Sequence, residues 1–179
     1  MTESTNIASD HVAAPPSVYL DTGIPSHLTA RPSRDLLTLR DQRITCLWWN
    51  GYRPRFKSHV SDLVFDEAEK GDAEAAQRRI DVILPLPKLD LTPEALELSR
   101  RILREARLPE KAEGDAKHIA IATTAGMDFL LTWNCKHVAN DEIIPFVRRA
   151  CEQSGFRIPE ICTPEHIIRS IKNARQSDR

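Results

Sequence analysis

Three carboxylates occupy positions where an ionised group is costly. Asp21 closes the apolar run Val18-Tyr19-Leu20, Glu67 interrupts an apolar helical face, and Asp115 opens an Ala- and Ile-rich segment. A buried or half-buried carboxylate needs something cationic beside it to offset its lost hydration. No Lys or Arg is interleaved with these three, which points to a metal ion. Hard divalent cations such as Mg²⁺ and Mn²⁺ take carboxylate oxygens and keep several waters. A bound ion acidifies its water and so generates a nucleophile for in-line attack on a phosphodiester. A nuclease fits this chemistry, and spacing alone does not separate it from a metal-dependent phosphatase.

The elements that position these acids follow from apolar periodicity. Val18-Tyr19-Leu20 reads as a short buried strand, and Ile24-Pro25 can begin a short helix. Ser33 is expected to cap a long amphipathic helix from Arg34 to about Trp49, on which Leu36, Leu37, Arg40, Ile44, Leu47 and Trp48 recur at three- and four-residue steps. Residues 56–61 read as a strand, 62–70 as a helix stopped by Gly71, and 73–83 as a second helix broken by Pro85 and Pro87. Thr92-Pro93 starts another helix running to Arg107. Further helices are expected over 113–125 and 141–154, with strands at 129–132 and 161–162.

Strands alternating with helices indicate an α/β fold with a mostly parallel sheet, in which functional groups gather at the carboxyl ends of the strands. That rule places Asp21 and Asn134 on the active edge and Asp128 on the opposite one, as a turn residue. Glu67 shares a helical face with Leu63, Val64 and Ala68, and Asp115 shares one with Ala112, Ile119 and Ala122. For each acid alone the plainer alternatives are a snorkelling side chain for Glu67 and a helix cap for Asp115. Their convergence with Asn134, as a fourth oxygen donor, on one sheet edge favours the metal site. His27, His118 and His137 read as packing or surface residues, with His118 near enough to Asp115 to line the same cleft. The Trp48-Trp49 pair is expected to cover the core or a dimer interface.

With 179 residues, 41% hydrophobic and 28% charged, the chain suits one globular domain. No apolar stretch approaches the roughly 20 residues that span a bilayer, and the N-terminus lacks the pattern of a secretory signal. A cytoplasmic location is the expectation. The net charge of −1 gives no bulk attraction for nucleic acid, although Arg31, Arg34, Arg40, Arg43, Arg53, Arg55 and Lys57 form local basic groups. The four cysteines, Cys46, Cys135, Cys151 and Cys162, contain no CxxC pair, so they read as reduced thiols without structural zinc.

Taken in order, the motifs Val18-Tyr19-Leu20-Asp21-Thr22, Val60-Ser61-Asp62-Leu63-Val64-Phe65-Asp66-Glu67, Gly114-Asp115-Ala116-Lys117-His118-Ile119-Ala120 and Leu130-Leu131-Thr132-Trp133-Asn134-Cys135-Lys136-His137 resemble the PIN-domain family. The likeness runs from about Ser17 to the Cys162-Thr163-Pro164 region. It implies a three-layer α/β/α domain with a central, mostly parallel sheet of four to five strands. It places a nuclease domain over 17–168, between a polar, small-residue segment that reads as a flexible arm (1–16) and a basic, polar segment that reads as a frayed tail (169–179). It implies an endoribonuclease that uses Mg²⁺ or Mn²⁺, with Asp21, Glu67 and Asp115 as metal ligands and Asn134 completing the catalytic set. Asn134 stands where many relatives carry Asp, which removes one charge, and Gly23 stands where relatives often have a small hydroxyl residue. Many bacterial relatives are the toxins of toxin–antitoxin pairs and form homodimers, so a protein antitoxin and a homodimer join RNA as expected partners. A catalytically weak RNA- or protein-binding module with the same pocket is the alternative from a different class.

Overall fold

The computed structural model of the chain describes residues 14–177. Five strands form the sheet: β1 (Ser17–Leu20), β2 (Lys57–Ser61), β3 (Lys88–Leu89), β4 (Phe129–Leu131) and β5 (Glu160–Cys162). Their spatial order is β3-β2-β1-β4-β5, and every pairing is parallel. Between them run α1 (Gly23–Thr29), α2 (Leu36–Gly51), α3 (Asp62–Ala68), α4 (Ala73–Ile83), α5 (Pro93–Glu105), α6 (Glu113–Thr124) and α7 (Ile144–Gln153), followed by α8 (Pro164–Ser177).

The chain walks outward from β1 to β3, then crosses back to β4 and β5 on the other side. Parallel crossovers are right-handed, so reversing the direction of travel moves the connecting helices to the opposite face of the sheet. The observed packing agrees: α1 lies on α2 and α4, whereas α5 lies on α6 and α7. The result is the expected three-layer α/β/α arrangement. A sheet covered on both faces needs strands that are apolar throughout. Val18, Tyr19, Leu20, Leu130 and Leu131 are all fully buried.

Local chemistry explains the element boundaries. Thr92 Oγ1 accepts the Ala95 N–H at 3.2 Å, with Pro93 in the first helical position of α5. Gly126, at φ +66°, takes the left-handed conformation that ends α6 and redirects the chain into β4.

Three expectations are corrected. Asp35, not Ser33, caps α2, accepting the Thr38 N–H at 2.8 Å; Ser33 Oγ instead accepts the Asp35 N–H in the preceding turn. The apolar side of α2 is also misplaced. Leu36, Leu37 and Leu47 are 78%, 69% and 51% exposed, while Gln42, Thr45 and Trp48 face inward. Trp48 therefore belongs to the core, and half-buried Trp49 lies beneath the Arg53 guanidinium at 4.6 Å. The two-residue β3, hidden in sequence between Pro87 and Asp90, forms the second sheet edge. The segment expected as a tail from residue 169 falls within α8, which carries buried Ile167 and Ile168 in its first half. The arm expected over residues 1–16 lies almost entirely outside the described residues.

Candidate active site

The carboxyl ends of β1 and β4 lie side by side at the point where the strand order reverses. Crossovers leave such a point in opposite directions and open a crevice there. Asp21, Thr22, Gly23, His27, Glu67, Asp115, His118, Trp133 and Asn134 line a cavity of about 310 Å³ at this place. All four predicted residues therefore reach one cavity from separate elements. Asp21 follows β1, Glu67 comes from α3, Asp115 from the first turn of α6, and Asn134 from the loop after β4. No Lys or Arg lines it among the described residues. The structure places Asp128 at the opposite edge, where it accepts the Ser17 N–H and Oγ–H at 2.8 Å each.

Each acid is held by its own set of donors. Asp21 is 6% exposed. Its Oδ1 accepts the Gly23 N–H at 2.9 Å, and its Oδ2 accepts the Thr132 hydroxyl. Burial pushes the Asp21 carboxyl up, against the pull of His118 and the hydrogen bonds from Thr132, Gly23 and Ile24. A Cβ on residue 23 would stand 3.0 Å from Asp21 Oδ1. The glycine at that position is thus part of how the carboxylate is seated, and any side chain there would crowd it.

Glu67 Oε2 accepts from the Thr22 hydroxyl and from His118 Nε2, the latter at 3.1 Å. Burial raises the Glu67 carboxyl, but the hydrogen bond and electrostatic pull of His118, with the Thr22 hydrogen bond, outweigh it and hold the group below the usual carboxylate range. Its Oε1 makes no hydrogen bond among the described residues and passes close to α6. A Cβ at Gly114 would meet it at 3.0 Å.

Asp115 Oδ1 accepts the Asn134 Nδ2–H at 2.8 Å, and Oδ2 accepts from His137 Nδ1 at 3.0 Å. Asn134 Oδ1 takes the backbone N–H groups of Lys136 at 3.1 Å and His137 at 3.0 Å. These partners determine the amide's orientation, since flipping it would set oxygen against carboxylate and NH₂ against two N–H donors. Asn134 was expected as an oxygen donor to the site; in the structure it bonds as follows. Its oxygen is engaged in a turn, and its NH₂ offsets charge on Asp115.

The pull on Asp21 and Glu67 comes from hydroxyls, backbone amides and the His118 imidazole, with a smaller electrostatic pull of Lys70 on Glu67. His118 and His137 each hold one predicted carboxylate, where packing or surface roles were expected. Neither has a periodicity signal. The only local hint is that His118 follows Asp115 by one helical turn. His27 donates Nδ1–H to the Gly23 carbonyl at 2.9 Å, and its ring lies 5.8 Å from that of Trp133, making an aromatic wall of the same cavity.

The donor set suits a hard divalent cation in kind, being carboxylate oxygens without a competing ammonium or guanidinium. The buried Asp21 and the unengaged Glu67 Oε1 are the atoms such an ion would relieve. Their positions are less convergent: among the described residues no three His, Cys, Asp or Glu side chains form a group that could hold a metal ion. Cys151 and Cys162 are buried thiols pushed up to about 11 and about 12, chiefly by desolvation, and take no part.

No protein-family model matches the chain, and no curated protein does. Solved structures do match. The Mycobacterium tuberculosis toxin VapC20, which cleaves the sarcin–ricin loop, superposes with a TM-score of 0.54 at 16% identity, over 68% of this chain and 92% of that one. FitAB bound to an IR36 DNA fragment gives 0.54 at 16% identity, over 82% and 94%. The chain has the PIN-domain fold. Within that PIN-domain fold the candidate cavity lies where the sheet topology itself opens a cleft, at the ends of β1 and β4.

Proposed function

We propose that the chain is a metal-dependent endoribonuclease whose Asp21, Glu67 and Asp115 hold Mg²⁺ or Mn²⁺ in the cavity at the strand-order reversal. The observation that supports this reading is that three carboxylates from three elements line one cavity that no Lys or Arg lines among the described residues. The ion would supply an acidified water for attack on the phosphodiester. The chain's residues position the donors: Gly23 and Thr132 seat Asp21, Thr22 and His118 seat Glu67, and Asn134 and His137 seat Asp115. The His27–Trp133 wall supports RNA as substrate, since an unpaired base stacks on such a surface. The sarcin–ricin loop cleaved by VapC20 belongs to the same substrate class. A toxin role with a protein antitoxin, a homodimer and a cytoplasmic location complete the reading. No helix among the described residues is long and apolar enough to cross a membrane.

A second reading, a module that binds RNA or protein without cleaving, is favoured by one observation. Five of the six carboxylate oxygens already accept hydrogen bonds, and no three ligands converge. Titrating labelled RNA with Mg²⁺ and Mn²⁺, for wild type beside Asp21→Asn and Asp115→Asn, decides between them. The nuclease reading expects metal-stimulated cleavage that falls at least about a hundredfold in either variant, with circular dichroism unchanged. Binding without cleavage at any ion supports the second reading. Equal cleavage by the variants removes the assigned residues. Faster turnover of a small phosphomonoester than of RNA would make the protein a phosphatase.

A further inference from the structure

Tyr19 lies on the central strand with its side chain fully enclosed, yet it ends in a polar atom. That hydroxyl lies 2.6 Å from Ser61 Oγ and 2.8 Å from His118 Nδ1. Ser61 and His118 are 1% and 4% exposed. Across the ring, His118 Nε2 meets Glu67 Oε2 at 3.1 Å. A hydrogen-bonded chain therefore runs from the end of β2, through β1 and α6, to the acid on α3.

The hydrogens follow from chemistry. A carboxylate oxygen can only accept, and Glu67 Oε2 stands 3.1 Å from the ring, so Nε2 of His118 is the atom that donates there whatever charge the ring bears. Burial holds the Tyr19 phenol far above its ordinary range, so it keeps its own hydrogen. When Nδ1 is bare it accepts from Tyr19, and Ser61 can donate to Tyr19. When Nδ1 bears a hydrogen it donates to Tyr19, which donates to Ser61. A hydroxyl at this place serves both arrangements, and a hydrocarbon ring serves neither.

We propose that Tyr19 is a positioning residue for Glu67 that acts through His118: its hydroxyl, backed by Ser61, completes Nδ1 so that the far edge of the ring keeps an N–H on Glu67 Oε2 and leaves Oε1 available. The value of that placement to a metal ion rests on the nuclease reading, whereas the placement of the hydrogens does not. Groups that orient the ligands of a metal typically change its affinity by roughly 10–100-fold when removed.

The test combines ¹⁵N-histidine NMR of the whole protein, Mn²⁺ affinity by calorimetry, and kcat and KM on RNA, for wild type, Tyr19→Phe and Ser61→Ala. In wild type the His118 Nε2 resonance is expected at a protonated-nitrogen position. In Tyr19→Phe both ring nitrogens of His118 shift, Mn²⁺ binds about tenfold or more weakly, and kcat falls with KM for RNA nearly unchanged. Ser61→Ala moves the same readouts less. A bare Nε2 in wild type overturns the proposal. So does a Tyr19→Phe protein that merely melts earlier while keeping the His118 spectrum and Mn²⁺ affinity. Should Tyr19→Phe fail to fold, an unaltered His118 spectrum in Ser61→Ala overturns it instead. If wild type neither binds Mn²⁺ nor cuts RNA, the nuclease reading fails, and the role in metal binding fails with it; the NMR result still decides the hydrogen placement.

Discussion

Asp21 sets stability against use. Its carboxyl is buried against neutral donors, and desolvation raises its folded pKa above the unfolded value. The stability it contributes is then complete below the unfolded pKa and is lost as pH rises through the folded one. Asp21→Asn, which carries no charge at any pH, should melt higher than wild type at about pH 8, with the gap closing toward about pH 4. Each kcal/mol appears as roughly 2–4 °C in a chain of this length. Calorimetric melts across that range check the sign, and a gap that widens on acidification would refute it. The three acids were legible in the sequence because simple rules reach them: a strand end for Asp21, a helical face for Glu67, a first turn for Asp115. Their partners were not. Thr22 bonds across 45 residues to Glu67, His118 across 51, and Thr132 across 111 to Asp21. Nothing in local periodicity records a choice of partner over such separations.

The helices show how local rules succeed and fail. The Thr92-Pro93 start of α5 and the 73–83 span of α4 were readable because caps and breakers act on near neighbours. The inward side of α2 was not, since its hydrocarbon content is divided between the core and the surface. Trp48 faces the core beside Gln42 and Thr45, which are satisfied there. Gln42 bridges Ser33 N–H and the Arg31 carbonyl, and Thr45 Oγ1 accepts Trp133 Nε1–H at 2.8 Å. Polar atoms with such partners enter a core at little cost. The exposed leucines carry no such signal. On α6, Gly114 is a poor helix former kept beside Glu67 Oε1. Gly114→Ala should gain up to about 1 kcal/mol from helix propensity, while its methyl group pushes the Glu67 carboxylate aside. The expected outcome is an equal or higher melting temperature and, on the nuclease reading, RNA cleavage at least about tenfold lower. Thermal melts and initial rates measured on one preparation test both halves, and unchanged cleavage would show that Glu67 has room to move.

For the whole molecule, the order β3-β2-β1-β4-β5 does two things at once. It divides the helices between two faces, and it brings β1 against β4 so that the cavity opens between their ends. The layered class was legible from alternating elements. The order was not, because a two-residue β3 leaves almost no trace in sequence and nothing local says which side of β1 receives β4. Both margins of the sheet are short, β3 with two residues and β5 with three. Backbone amides of β1, paired on each flank, should therefore be among the slowest to exchange with deuterated water, and those of β3 and β5 markedly faster. Mass-resolved exchange over minutes to days measures this, and a β1 that exchanges with the margins would contradict it. The consequence reaches Asp21, whose own N–H bonds to the Leu131 carbonyl at 3.2 Å. It hangs from the strand paired on both flanks, so partial opening at either rim is expected to leave that carboxylate anchored.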